Sequence, residues 1–208
     1  MVPAAIARLR AEPPADPTPL PLPSADDAVL VRRALRGEPW AHEAIFRKHV
    51  EYINALSLRL LRDRAEAEDV VQDTFLEAFR LLAKLEAPAR LRAWLGGIAV
   101  HQAHRRFRRR RWLTFAGLGG PGESVGLDEL AHQSLPADLR AMLMQLDAVL
   151  VKLPEAVRAA WLLRYVEGYR FDEIASACRC SLATAKRRVT RAHARVRQQL
   201  DIDEVADG

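Results

Sequence analysis

Five arginines, one lysine and no acid lie between Lys186 and Arg197. They begin inside a stretch, Phe171 to Arg191, that reads as two short helices joined by a tight turn. Arginine offers two parallel donors that match guanine O6 and N7, and any of these cations neutralises a phosphate. Leu182, Ala185, Val189, Ala192, Val196 and Leu200 recur at intervals of three or four, the single buried stripe of an amphipathic helix. Ser181 stands where an N-cap accepts from the free amides of the first turn. At about 100° per residue, Arg187 lies opposite the stripe with Lys186 and Arg191 beside it, and Arg188 lies nearer the stripe. A helix-turn-helix whose second helix enters the DNA major groove has this form.

Two further clusters carry charge chemistry. Asp69, Gln72 and Asp73 sit at i, i+3 and i+4 of a helix and share one face, away from a stripe through Val71 and Phe75. Such a face suits a basic protein partner. The run Arg105 to Arg111 holds six arginines and one phenylalanine. Like charges at i, i+3 and i+4 repel, so a polyanion is the simpler account of it. Trp94, His101, Gln102 and His104 precede the run, and aromatics with long cations suit unpaired strands. Trp94 by itself reads as a core anchor rather than a base platform.

Other chemistries find no support. Gly117, Gly119 and Gly122 spell G-x-G-x-x-G, but no strand precedes them, so the dinucleotide reading fails on context. No H-E-x-x-H or G-K-[ST] motif occurs. His101 and His104 have no nearby carboxylate or thiol, and Cys178 with Cys180 supplies only two ligands, so no metal site and no cofactor is expected. The cysteines read as small buried hydrophobes.

The elements that position these groups follow from composition. Of the 208 residues half are hydrophobic, aromatics are few, and net charge is +5. Ala, Leu, Arg and Glu dominate, which predicts an all-α protein of two small helical domains. Charge is sorted: residues 63–77 hold six acids and one arginine, whereas residues 84–111 hold nine cations and one acid. Seven prolines in residues 1–24 predict an extended, disordered tail. Residues 25–112 form a first helical domain. Its stripes are Ile45, Phe46, Val50, Ile53, Leu56 and Leu60; then Val71, Phe75, Ala78 and Leu82; then Leu91, Trp94, Leu95 and Ile98. Residues 113–140, with five glycines between Gly117 and Gly126 and no cation from 113 to 139, predict a flexible linker. Residues 141–200 form the second domain with the helix-turn-helix, and 201–208 an acidic tail. No apolar run approaches the ~20 residues of a membrane span, and no secretory signal is evident. A soluble, cytoplasmic protein is expected.

Ala67-Glu-Asp-Val-Val-Gln-Asp-Thr-Phe-Leu, then Arg92-Ala-Trp-Leu with Ile98-Ala and the basic run, then Leu153-Pro, Leu163-Arg-Tyr-Val-Glu-Gly and the helix-turn-helix, resemble in order and spacing the extracytoplasmic-function (ECF) group of sigma-70 family sigma factors. The resemblance covers about residues 26–112 and 141–200. It implies a non-enzymatic RNA polymerase sigma factor that directs transcription initiation. Asp69, Gln72 and Asp73 would contact the clamp helices of core RNA polymerase. Trp94, His101, His104, Arg105, Arg106, Arg108 and Arg109 would face the melted −10 DNA, with His101 where the family usually has Asn. Thr184, Lys186, Arg187, Arg188 and Arg191 would face double-stranded −35 promoter DNA, Arg188 through phosphate. The linker would thread toward the polymerase active site, and an anti-sigma factor would be the inhibitory partner. The chain departs from the family pattern at Gly96 and Gly97, usually Leu and Arg; each costs about 1 kcal/mol in mid-helix, so a locally loose or kinked helix is expected. Arg179 replaces a turn glycine, and the departure predicts an altered turn. The alternative is a helix-turn-helix regulator that is not a polymerase subunit. A nucleic-acid enzyme is the third reading, with no motif to carry it.

Overall fold

The computed structural model describes residues 25–115 and 137–200, and every regular element among them is helical. The chain divides into two compact units, one holding the described residues up to 115 and the other those from 137. The tail, the middle of the linker and the acidic C-terminus expected from the sequence lie outside the described residues.

The first unit contains α1 (Ala25–Leu35), α2 (Pro39–Leu61), α3 (Arg64–Leu81), short 3₁₀ turns at Leu82–Lys84 and Pro88–Arg90, and α4 (Leu91–Phe115). Pro39 starts α2, where its missing N–H is an orphan donor anyway. Arg62 ends α2 in the left-handed region at φ 59°, its N–H donating to Leu58 O at 2.8 Å. Asp63 then caps α3, its carboxylate accepting from Glu66 N at 2.9 Å. Two residues therefore connect the helices, and α3 packs back on α2.

α2, α3 and α4 pack pairwise around one core, and α1 lies on α2. Asp27 of α1 is buried and takes Lys48 Nζ at 2.7 Å and His49 Nε2 at 3.2 Å. Burial pushes its carboxyl up, but the hydrogen bonds and charges of His49 and Lys48 outweigh that and hold it below the usual range.

The expected stripes shift on packing. α3 buries Ala67, Val70, Thr74, Phe75 and Ala78, so the stripe runs through Val70 while Val71 is half-buried. On α4, Leu91, Leu95, Ala99, Ala103 and Phe107 are buried, one residue every four. Trp94 and Ile98 flank this line half-buried. Phe107, the one apolar residue of the arginine run, is 4% exposed and anchors the run to the core. α4 continues as an α-helix through Gly96 and Gly97. Core burial along the Leu91–Phe107 line supplies ~1.5–3 kcal/mol per large side chain, which outweighs the glycine cost.

The second unit contains α5 (Ala137–Val151), α6 (Glu155–Tyr165), α7 (Phe171–Ala177) and α8 (Leu182–Gln199). Helix thus reaches into both ends of the expected linker, to Phe115 and from Ala137. α6 is the central element: all residues from Val157 to Tyr165 are buried. Its charged members need partners, and the buried Arg164 donates to Tyr169 O at 3.2 Å while lying 4.3 Å from the Phe171 ring centroid. α8 packs on α5, α6 and α7. Its buried face is Ala185, Val189, Ala192, His193 and Val196; Leu182, expected in the stripe, is exposed in the first turn, and Leu200 is half-buried.

Candidate nucleic-acid and protein interface

The acidic face of α3 does not stand alone. Glu66, Asp69, Asp73 and Glu77 recur at i+3 and i+4 intervals and meet Arg110, Arg106 and Gln102, spaced four apart on α4. Arg106 bridges two of them, Nη1 to Asp69 Oδ2 at 3.1 Å and Nη2 to Asp73 Oδ2 at 2.8 Å. Arg110 pairs with Glu66, and the buried Gln102 donates to Glu77. Arg106, expected at the −10 DNA, here engages the α3 carboxylates. Its side chain is only 18% exposed, held against carboxylates that are 61% and 47% exposed. Carboxylates as open as these remain screened by water, so each pair contributes under about 1 kcal/mol. Their outer lone pairs remain accessible to a partner. Gln72 is exposed in the next turn.

Arg105, Arg108 and Arg109 are exposed, and Trp94, His101 and His104 are half-buried. His104 lies 6.4 Å, ring to ring, from Phe107, which ties it to the core side of the arginine run. The described residues contain no group of three His, Cys, Asp or Glu side chains able to hold a metal ion. Trp112, which the sequence reading leaves unassigned, is 66% exposed.

In the second unit the turn of the helix-turn-helix keeps the geometry a glycine would give. Cys180 N donates to Ala175 O at 2.9 Å and Arg179 N to Ser176 O at 3.2 Å, the paired bonds of a Schellman ending with Arg179 at φ 47°. The expected change of turn does not occur; the cost is a side chain in the left-handed region, on the order of 1 kcal/mol. Cys178 is buried, and burial first, with Cys180 beside it, pushes its thiol up to about 12 against a small lowering by Arg188. It packs as an inert hydrophobe, and Cys180 is half-buried.

Ser181 caps α8 as expected, accepting from Thr184 N at 3.2 Å. It also donates to the half-buried Thr184 hydroxyl at 2.9 Å, so Thr184 serves the cap. α7 begins with Glu173 accepting from Arg170 N at 2.9 Å. Lys186 Nζ lies 5.7 Å from the Phe171 ring centroid, which Arg164 also approaches, so Phe171 joins α7 to α6 and α8 beside two cations. Lys186, Arg187 and Arg191 are exposed and Arg188 is half-buried. Among the described residues no carboxylate pairs with any of the four. This surface presents uncompensated cations above a rigid core, the requirement for phosphate and base-edge contacts.

Behind that surface lies a group the sequence reading passed over. His193 is buried and stacks on Tyr165 with centroids 4.8 Å apart and planes 9° apart. Neither ring nitrogen has a hydrogen-bond partner among the described residues. Burial and the charge of Arg197 push its pKa down, so the neutral ring is the packed form.

Comparison with known proteins accounts for both units. Residues 45–113 match the family model for Sigma-70 region 2, and residues 143–196 match that for Sigma-70, region 4. The RNA polymerase sigma-H factor of Pseudomonas aeruginosa is 29% identical over 178 residues, covering 80% of this chain and 89% of that protein. The ECF RNA polymerase sigma-E factor of Haemophilus influenzae is 24% identical over 186 residues, 84% of this chain and 95% of that one. Among solved structures, the sigma factor RpoE in complex with the anti-sigma factor NepR from Bartonella quintana superposes with TM-score 0.61 at 25% identity, covering 83% of this chain and 99% of that one. CnrH in complex with the cytosolic domain of CnrY, 22% identical with TM-score 0.59 over 86% of this chain and 99% of that one, shares the fold.

Proposed function

The chain belongs to the ECF group of the sigma-70 family of RNA polymerase sigma factors, and from that premise we propose how its two units divide the work. As a sigma factor it directs DNA-templated transcription initiation together with core RNA polymerase and promoter DNA. The first unit meets core polymerase through Asp69, Gln72 and Asp73. Arg106 orients the two carboxylates from behind and leaves −10 contact to His101, Arg105, Arg108 and Arg109, with Trp94 and His104 supporting their helix. The second unit reads the −35 duplex through Lys186, Arg187 and Arg191, with Arg188 on phosphate and Thr184 fixing the start of the reading helix.

The observation that carries this division is the contrast in compensation. The carboxylates of α3 are held in a row on one unit, and Lys186, Arg187, Arg188 and Arg191 of α8 meet no carboxylate among the described residues on the other. A regulator that is not a polymerase subunit leaves the region 2 match over residues 45–113 without a purpose. Sigma factors are generally non-catalytic, and we assign bond-making to the polymerase. Among the described residues no helix is long and apolar enough to cross a membrane. We assign the chain to the cytoplasm, where the partners proposed for it work. The anti-sigma factor NepR bound to RpoE makes such a protein the regulatory partner we assign to this chain.

Reconstitution with purified core polymerase tests the reading. Promoter-dependent transcription from fragments of the source genome is expected, and Asp69→Lys with Asp73→Lys is expected to abolish capture of core polymerase while duplex binding by α8 survives. Absence of both transcription and core capture by the unmodified chain would sink it.

A further inference from the structure

We propose that the open cleft between α3 and α4 holds a backbone phosphate of promoter DNA, with Arg80 as a DNA-contacting residue on the helix otherwise given to polymerase, and with Trp112 stacking on an adjacent base. This rests on the reading of α4 as the strand-facing helix. The cleft has a volume of about 660 Å³, and Arg80, Arg105 and Arg109 all line it. All three are exposed. Its two carboxylates are already engaged, Asp73 by Arg106 and Glu77 by Gln102. Three guanidinium groups from two helices thus converge with no carboxylate partner among the described residues. Arg105 reaches only the Gln102 amide oxygen, at 3.4 Å.

A cation in the last turn of α3 favours the helix dipole, which accounts for one arginine there. It gives no reason for Arg105 and Arg109, spaced one turn apart on another helix, to face the same space. Four guanidinium groups against two carboxylates leave the cleft with an excess of positive charge, which an added anion offsets. A phosphodiester fits, since each phosphate accepts from several guanidinium groups. Trp112 decides between nucleic acid and an acidic protein segment. It stands three residues after Arg109 and seven after Arg105, hence on the same face of α4. An indole two-thirds exposed beside a row of arginines is the arrangement that stacks a base while the cations follow the backbone.

The test uses the full-length chain, a fluorescein-labelled single-stranded oligodeoxynucleotide over a range of salt, and core RNA polymerase capture in parallel. Arg80→Gln is expected to weaken oligonucleotide binding about threefold to tenfold at low salt. It should also flatten the plot of log affinity against log salt by about 0.7, the share of one phosphate contact on a single strand. Arg80→Lys keeps that slope. Trp112→Ala weakens binding roughly fivefold or more with the slope unchanged. All three variants capture core polymerase as the unmodified chain does, and Arg80, being exposed, leaves the melting temperature in place. An unchanged slope with Arg80→Gln overturns the inference alone. Loss of core capture with oligonucleotide binding intact overturns it in favour of an acidic protein segment. An unmodified chain that captures no core polymerase overturns the underlying functional reading as well.

Discussion

On α4, Arg106 and Arg110 turn onto the carboxylates of α3, whereas on α8 Arg187, Arg188 and Arg191 meet no carboxylate among the described residues. The two helices are nearly alike in arginine content, and in sequence both look like nucleic-acid surfaces. Their neighbours separate them. α3 presents an acid every three or four residues along the line that faces α4, so part of that charge is neutralised within the fold. α6 and α7 offer α8 apolar surface and the rings of Tyr165 and Phe171 instead. Charge density therefore marks a binding helix, but only the facing element shows how many of its charges a ligand can use.

The largest way to break this contrast is on α8. Replacing Lys186, Arg187 and Arg191 together by Ala should reduce duplex affinity by about two orders of magnitude and lower the salt slope by roughly 2.7, three phosphate-equivalents. Titration of a labelled duplex over a salt series measures both, and a slope that stays put would mean these cations are not at the DNA. Acid sharpens the contrast next. The pKa of His193 is depressed in the fold, so the unfolded chain binds the extra proton, and the stability it contributes is present above the ordinary 6.5 and lost as pH falls below it. The Asp27 carboxyl is also held low, but its contribution is lost only as pH falls below the ordinary 3.8. Thermal melts from pH ~7.5 down to ~5.5 should therefore show a falling Tm that His193→Phe, which keeps the stack on Tyr165, largely removes. An equal fall in both proteins would clear His193.

A smaller pair of effects divides α4 itself. Arg106→Ala leaves Asp69 and Asp73 facing each other and should cost about 1 kcal/mol of stability with no change in the salt slope of oligonucleotide binding. Arg108→Ala should do the opposite, lowering the slope by about 0.7 at no cost in stability. Denaturant titration and salt titration of the two variants separate the roles. The smallest change is at the turn: Arg179→Gly relieves the left-handed side chain and should stabilise the second unit by up to about 1 kcal/mol, the gain being reduced by the added freedom of the unfolded chain. A loss of stability would show that the Arg179 side chain holds the turn.

Local features were legible before the fold was known. Ser181 as a cap, the buried Ala185–Val196 stripe and the exposed Arg187 follow from spacing along one helix, which rotation by a fixed angle per residue converts directly into faces. The acids of α3 were legible as a cluster for the same reason. The exact line of burial was not: the α3 stripe passes through Val70 instead of Val71, because adjacent residues differ by only a fraction of a turn and packing partners choose between them. Leu182 is exposed although it fits the period, whereas Ala185 one turn on is fully buried. Phe107 gave a signal in hindsight, as the single apolar residue in an arginine run at four-residue spacing from Ala103. Trp112 and Arg80 gave none, because nothing local says that two helices will open a cleft between them.

The amino-acid order by itself determined the helices, their caps, the sorting of charge and the turn at residues 178–180, all of which depend on groups a few residues apart. It also placed Arg in a glycine's position without changing the turn, because the two Schellman hydrogen bonds and the buried neighbours Ala177 and Cys178 outweigh the strain of one left-handed residue. What the tertiary structure decided was which charges are neutralised inside the molecule. Arg106 meets Asp69 and Asp73 across 37 and 33 residues of chain, and a pairing at that separation depends on the core line from Leu91 to Phe107 setting the rotation of α4 against α3.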